Sequence, residues 1–131
     1  MTRRDFDPST AVPDGRPPAK DRVFDPAADG PWRGNSPGEA RGTDVTVLVY
    51  GTDTVGEGPR LHVHPYDETF VVLIGRARFF VGDEVIDAGA GEAVLGPAGL
   101  PHRFENLGPG RLQTIDVHHS PRWIQTDLDD G

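Results

Sequence analysis

The sequence predicts an all-β domain, a sandwich or barrel of short strands, behind a proline- and glycine-rich N-terminal arm. Three observations predict it. Glycine and proline number 17 and 13 among 131 residues, which favours turns and strands over long helices. Short β-rich runs alternate with turn signals from about Thr43 onward. No ten-residue window carries a convincing helical period.

The first 40 residues hold seven prolines and four glycines. Their few large apolar groups, Phe6, Phe24 and Trp32, follow neither a helical nor a strand period. Such a segment buries too little surface to offset its chain entropy. It reads as a mobile arm, or as an extended strap on the domain or on a neighbouring subunit with Phe24 and Trp32 as anchors. Residues 41–131 form the expected domain. The expected strands are Val45–Tyr50, Arg60–His64, Thr69–Ile74, Ala77–Val81, Glu84–Ile86, Ala93–Leu95, His102–Glu105 and Arg111–Val117. Gly56-Glu57-Gly58, Gly82-Asp83, Gly89-Ala90-Gly91 and Gly108-Pro109-Gly110 supply turns between them. Arg122–Leu128 reads as a final strand or a single helical turn.

Composition excludes several classes. A net charge of -8 disfavours phosphate backbones and anionic lipid as partners. The chain has no cysteine, so disulfides, thiolate metal sites and a cysteine nucleophile are out. No apolar run approaches the roughly 18 residues that span a membrane, and Asp5 to Gly15 is too polar for a signal peptide. These features lead to the expectation of a cytoplasmic protein.

The chemistry concentrates in Arg60-Leu61-His62-Val63-His64-Pro65-Tyr66-Asp67-Glu68. Side chains two apart on a strand point the same way, so His62 and His64 form a paired imidazole grip. Glu68 follows a short turn and returns a carboxylate to the same point. His102, in Gly99-Leu100-Pro101-His102, offers a third imidazole. Three histidines and one glutamate suit one divalent transition metal per chain: Fe, Mn, Ni, Co or Zn.

At these residues the sequence resembles the cupin superfamily. Its first motif is matched by Gly56, His62, His64, Glu68 and Gly75, and its second by Gly91, Pro97, Gly99, His102 and Asn106, every interval being met. The resemblance covers about Val45 to Val117. It implies a double-stranded β-helix, the cupin jelly-roll barrel, with His62, His64, Glu68 and His102 as ligands to an internal metal. Small cupins commonly pair through a sheet, which implies a homodimer. Gly75 and Gly91 are expected to close turns, Pro97 and Gly99 to present His102, and Asn106 to tie a turn.

Strand parity adds a candidate pocket. Arg60 shares the face of His62 and His64, or else points outward and pairs with Asp67. Phe70 and Val72 share the face of Glu68, and Phe104 that of His102. Phe79 is the inward aromatic of its strand. On the last long strand Ile115 and Val117 read as the core face, which puts Gln113 into the pocket. Tyr66 reads as a rim or subunit contact. His118 and His119 read as surface groups near a strand end.

A mainly apolar pocket beside a metal suits a small organic substrate with an anionic or enolisable group. The resemblance implies a metal-dependent enzyme of dioxygenase type, with Glu68 as ligand and base. An isomerase, cyclase or lyase without redox chemistry and a non-catalytic metal or ligand binder are the alternatives. Thiol dioxygenases of the superfamily typically lack the glutamate present here. Some small cupin lyases carry a tyrosine base where this chain has Phe70.

Overall fold

The computed structural model describes residues 2–128. The final three residues of the expected domain lie outside that range. Ten strands form two antiparallel five-stranded sheets. They are β1 (Arg33–Ser36), β2 (Thr46–Thr52), β3 (His62–Val63), β4 (Glu68–Ile74), β5 (Arg76–Val81), β6 (Glu84–Gly89), β7 (Ala93–Gly96), β8 (His102–Asn106), β9 (Leu112–His118) and β10 (Thr126–Asp127). One sheet runs in the order β1-β2-β9-β4-β7 and the other β10-β3-β8-β5-β6. This is the all-β, double-stranded arrangement that the sequence predicts.

Two local features differ from the expectations. Strand β1 lies inside the segment that reads by composition as an arm. Its four residues, Arg-Gly-Asn-Ser, have no β-rich pattern, and it is pairing with Val47 to Tyr50 of β2 that makes them a strand. The preceding chain lies against it. A Cβ on Gly34 would sit 1.9 Å from the Val23 carbonyl oxygen. The Ser36 hydroxyl donates to Asp21 at 2.8 Å, and Phe24 packs edge-on against Trp32. The segment after His118 ends as strand β10 on β3, which is the strand form of the two expected for Arg122–Leu128.

The second difference is the parity of β9. Leu112, Thr114, Asp116 and His118 face the interior, whereas Gln113, Ile115 and Val117 face outward and are half-buried. Choosing the more apolar set as the core face fails because this sheet is apolar on its outer face too, with Val47, Val71 and Leu95 there. Gln113 therefore does not enter the pocket.

The interior divides in two along the barrel axis. One half is an apolar core of Phe70, Val72, Ala77, Phe79, Val81, Ala88, Val94, Phe104 and Leu112. The rings of Phe70, Phe79 and Phe104 lie 5.0 to 5.7 Å apart in tilted and edge-on contacts. The other half is polar. The turn residues hold both halves in register. Gly75 has φ +85°, and a Cβ there would meet the Arg111 carbonyl oxygen at 2.2 Å. Asn106 is buried and bridges its loop: its amide donates to Gly110 O at 2.9 Å and its Oδ1 accepts from Gly108 N at 2.8 Å. The Gly56 and Gly91 amides donate to Asn106 and Val72 carbonyls, both at 2.8 Å.

Gly75→Ala should lower stability by about 2 kcal/mol or more, since the new methyl meets both a left-handed backbone and a fixed carbonyl. A shift of the urea midpoint with unchanged slope is the expected result.

Candidate metal centre

Two rows of side chains face each other across the polar half. In one sheet Thr46, His118, Glu68 and Gly96 lie side by side on β2, β9, β4 and β7. In the other, His62 of β3 pairs with His102 of β8. His64 follows β3 directly, and the amide of Gly99 donates to its carbonyl at 3.0 Å. The turn through Pro97 and Gly99 thus fixes His102 beside His64.

His62, His64, Glu68 and His102 are all buried, and one ligand atom from each lies within 4.8 Å of the others. The three imidazoles share a second feature. Nδ1 of His62 lies 2.6 Å from Arg60 O, that of His64 3.1 Å from Tyr66 O, and that of His102 3.2 Å from Leu100 O. A carbonyl only accepts, so each Nδ1 carries the proton and each Nε2 presents a bare lone pair. Two of these lone pairs meet the Glu68 carboxylate, at 2.7 Å from His64 and 3.1 Å from His102. Four electron-rich atoms converging in a buried space need positive charge among them. A divalent ion with nitrogen and oxygen preferences fits that requirement.

His118 corrects the sequence reading, which put it on the surface. It is 2 % exposed, and its Nε2 lies 3.2 Å from the second oxygen of Glu68. Its Nδ1 faces the hydroxyl of Tyr66 at 2.8 Å, not a carbonyl. A hydroxyl can donate to Nδ1, so the Nε2–H of His118 is free to donate to Glu68. Tyr66 in turn accepts from Ile124 N at 3.0 Å, and Ile124 O, also 3.0 Å away, competes with His118 for the single Tyr66 proton. Tyr66 is therefore an internal bonding group, not a rim contact. His119 is exposed and meets only the Thr69 hydroxyl.

The electrostatics follow from this packing. Burial alone would raise Glu68, but the N–H of His118 at its second oxygen opposes that and holds the carboxyl below its usual range. Burial pushes the His62 imidazole below its ordinary value, which favours the neutral, ligating form. Asp116 moves the other way: burial, and then the charge of Glu68, push its carboxyl well up.

A cavity of about 540 Å³ opens on the cluster. His62, Glu68 and His118 are at its wall, with Leu48, Tyr50, Phe70 and Phe104 as the apolar and aromatic sides. Arg60 is exposed at its edge. Its other expected partner, Asp67, instead accepts the amide of Ala98 at 2.9 Å. Val72 and Phe79, expected in the pocket, belong to the apolar core. They face inward as parity requires, but the large Phe70 and Phe104 rings lie between them and the open space. Sequence reading missed Arg33 and Asn35 of β1, Asp116 of β9, and Trp123, Gln125 and Asp127 near β10, all of which line the cavity. The signal available was the polar alternation Thr114, Asp116, His118, interleaved with Ile115 and Val117.

Fold and site together define a metal-binding β-barrel. The cupin domain family matches residues 50–118, and the chain belongs to that family. An uncharacterized protein of Streptomyces coelicolor is 31% identical over 81 residues, 62% of this chain and 75% of that one. A Klebsiella pneumoniae protein with a double-stranded β-helix domain superposes with a TM-score of 0.65 at 23% identity, over 82% of this chain and 87% of the other. Oxalate decarboxylase of Bacillus subtilis, as its S161A mutant, superposes with a TM-score of 0.68 at 17% identity, over 82% of this chain but 30% of its own. The chain therefore spans less than a third of that enzyme.

His62→Ala and His102→Ala should each abolish stoichiometric metal while keeping the β signal in circular dichroism. His118→Ala keeps all four ligands and should weaken metal retention roughly 10- to 100-fold through the loss of its bond to Glu68. Competition with a chromogenic chelator separates these outcomes, and unchanged stoichiometry in both ligand variants would contradict the assignment.

Proposed function

We propose that this protein is a metal-dependent cupin enzyme that acts on a small organic substrate at the His62, His64, Glu68 and His102 centre, with dioxygenase-like chemistry. One observation carries the reading. Three imidazoles tied through Nδ1 to backbone carbonyls leave bare Nε2 atoms, two of them against the buried Glu68 carboxylate, at the wall of an accessible cavity. One divalent transition metal per chain, Fe, Mn, Ni, Co or Zn, fits that donor set. The Mn(II) centres named for Bacillus subtilis oxalate decarboxylase support the same class of ion. Such an ion supplies a Lewis-acid charge and, for Fe, Mn, Ni or Co, access to dioxygen chemistry.

The chain's own groups have distinct work. Glu68 holds one oxygen toward the imidazole cluster and the other toward His118, and it is the proton acceptor of the site. His118 and Tyr66 fix its orientation and extend a hydrogen-bonded path from Glu68 to the backbone of Ile124. Tyr50, Phe70 and Phe104 exclude water from the substrate's apolar part. Arg60 at the edge favours an anionic or enolisable group.

A second reading, an isomerase, cyclase or lyase without redox chemistry, is favoured by that same Glu68–His118–Tyr66 path, which relays protons and no electrons. The working form on either reading is a cytoplasmic homodimer. The half-buried apolar outer face of the β1-β2-β9-β4-β7 sheet, with Leu95 53 % exposed, supports pairing through that sheet.

Elemental analysis before and after anaerobic reconstitution with Fe(II), followed by oxygen-uptake assays on enolisable and aromatic compounds, tests the proposal. One redox-active ion per chain with substrate-dependent oxygen uptake is expected. Zinc that Fe(II) does not displace, with turnover but no oxygen uptake, transfers the assignment to the second reading.

A further inference from the structure

Two side-chain atoms of the inner wall, Thr114 Oγ1 and Asp116 Oδ1, are buried without a hydrogen-bond partner among the described residues. Asp116 is 5 % exposed and lines the cavity. Its cross-strand neighbours are Leu48 and Phe70, one inward row along from Glu68 and His118. Inward residues of one strand stand about 7 Å apart, so Asp116 is roughly one six-membered ring further into the cavity than His118.

A buried carboxyl with one oxygen unpartnered is less stable than a satisfied one. An apolar side chain would fit the Leu48–Phe70 row without that cost. Asp116 makes no salt bridge among the described residues: Glu68, of the same sign, is the charge that acts on it, and the guanidinium of Arg33, in the same cavity wall, lies over the Tyr50 ring instead. Burial and that neighbour push its carboxyl well up, which favours the protonated form, one that donates one hydrogen bond and accepts another. Oδ1 is closed off, so the second oxygen, Oδ2, is the one that a group in the cavity can meet. The walls either side, Tyr50, Phe70 and Phe104, favour a flat ring.

We propose that Asp116 is a substrate-anchoring residue: it hydrogen-bonds a hydroxyl or carbonyl oxygen at the far end of a small, flat compound whose near end is a metal-chelating hydroxy-carbonyl group. This rests on the metal centre proposed above. It narrows the substrate class to ring compounds oxygenated at both ends, and it separates two jobs within one cavity. The histidines and Glu68 take the chelating end, whereas Asp116 selects for length and for the distal oxygen.

Two hydroxypyranones test the idea on Zn(II)-loaded protein by titration calorimetry. Kojic acid and maltol share the chelating hydroxy-ketone, and kojic acid alone carries a hydroxymethyl group on the far side. The wild type should bind kojic acid roughly tenfold more tightly than maltol, as expected for a hydrogen bond to a buried group. Asp116→Leu should bind the two alike while holding the same zinc per chain. Asp116→Asn, whose amide donates from the same position, should keep a preference for kojic acid. No preference in the wild type, or a preference that survives in Asp116→Leu, overturns the proposal. A thermal scan of the metal-free proteins gives an independent answer even if zinc does not bind. A higher Tm for Asp116→Leu than for wild type supports an anchoring group kept at a cost to stability. A lower Tm makes Asp116 a structural residue and overturns the assignment, whatever the fate of the metal centre.

Discussion

The polar half of this barrel depends on three short bonds between imidazole Nδ1 atoms and backbone carbonyls. Arg60, Tyr66 and Leu100 supply those carbonyls, each two residues from the histidine it fixes. The bonds choose one tautomer and one ring orientation for each histidine. Without them the rings would rotate, and either nitrogen could point inward. With them, bare nitrogens converge on a buried carboxylate, an arrangement that is unfavourable until positive charge is added. The metal-binding character of the site therefore arises from backbone geometry in loops as much as from the ligand side chains.

Glu68 stands between two kinds of histidine. His64 and His102 meet one of its oxygens with lone pairs, whereas His118 meets the other with an N–H. The difference lies in what each Nδ1 faces: a carbonyl in the first two, the Tyr66 hydroxyl in the third. One carboxylate is thus both ligand and hydrogen-bond acceptor, and its orientation is fixed from both sides. Tyr66 in turn is fixed by the backbone of Ile124, so the segment leading into β10 is coupled to the centre. Trp123 of that segment packs edge-on against His118 and also lines the cavity.

The two halves of the interior follow different rules. In the apolar half, Phe70, Phe79 and Phe104 stack into a close-packed cluster that anchors the two sheets to one another. In the polar half, buried Glu68, Asp116 and Thr114 forfeit stability that apolar residues would provide. Phe70 belongs to both: its ring packs against Phe79 and also, edge-on, against His102 at 5.5 Å. A rigid apolar floor under the ligands lets the polar half hold its geometry without closing over the cavity.

Local sequence carried much of this. Strand period two put His62 and His64 on one side, glycine and proline spacing set the turns, and two complete motifs marked Glu68 and His102. These are short-range relations, fixed by dihedral angles and side-chain alternation within a few residues. The rest arises from cross-strand register. Strand β1 has no strand pattern and exists because β2 offers it a partner. The inward face of β9 is the more polar one, which hydropathy alone inverts, because the outer face of its sheet is apolar as well. Its register against β4 sets His118 beside Glu68, 50 residues away, and Asp116 beside Phe70. The sequence by itself therefore determined which side chains could hold a metal. Only the tertiary structure decided which groups orient them and what lines the space beside them, because pairing between strands distant in the chain fixes those neighbours.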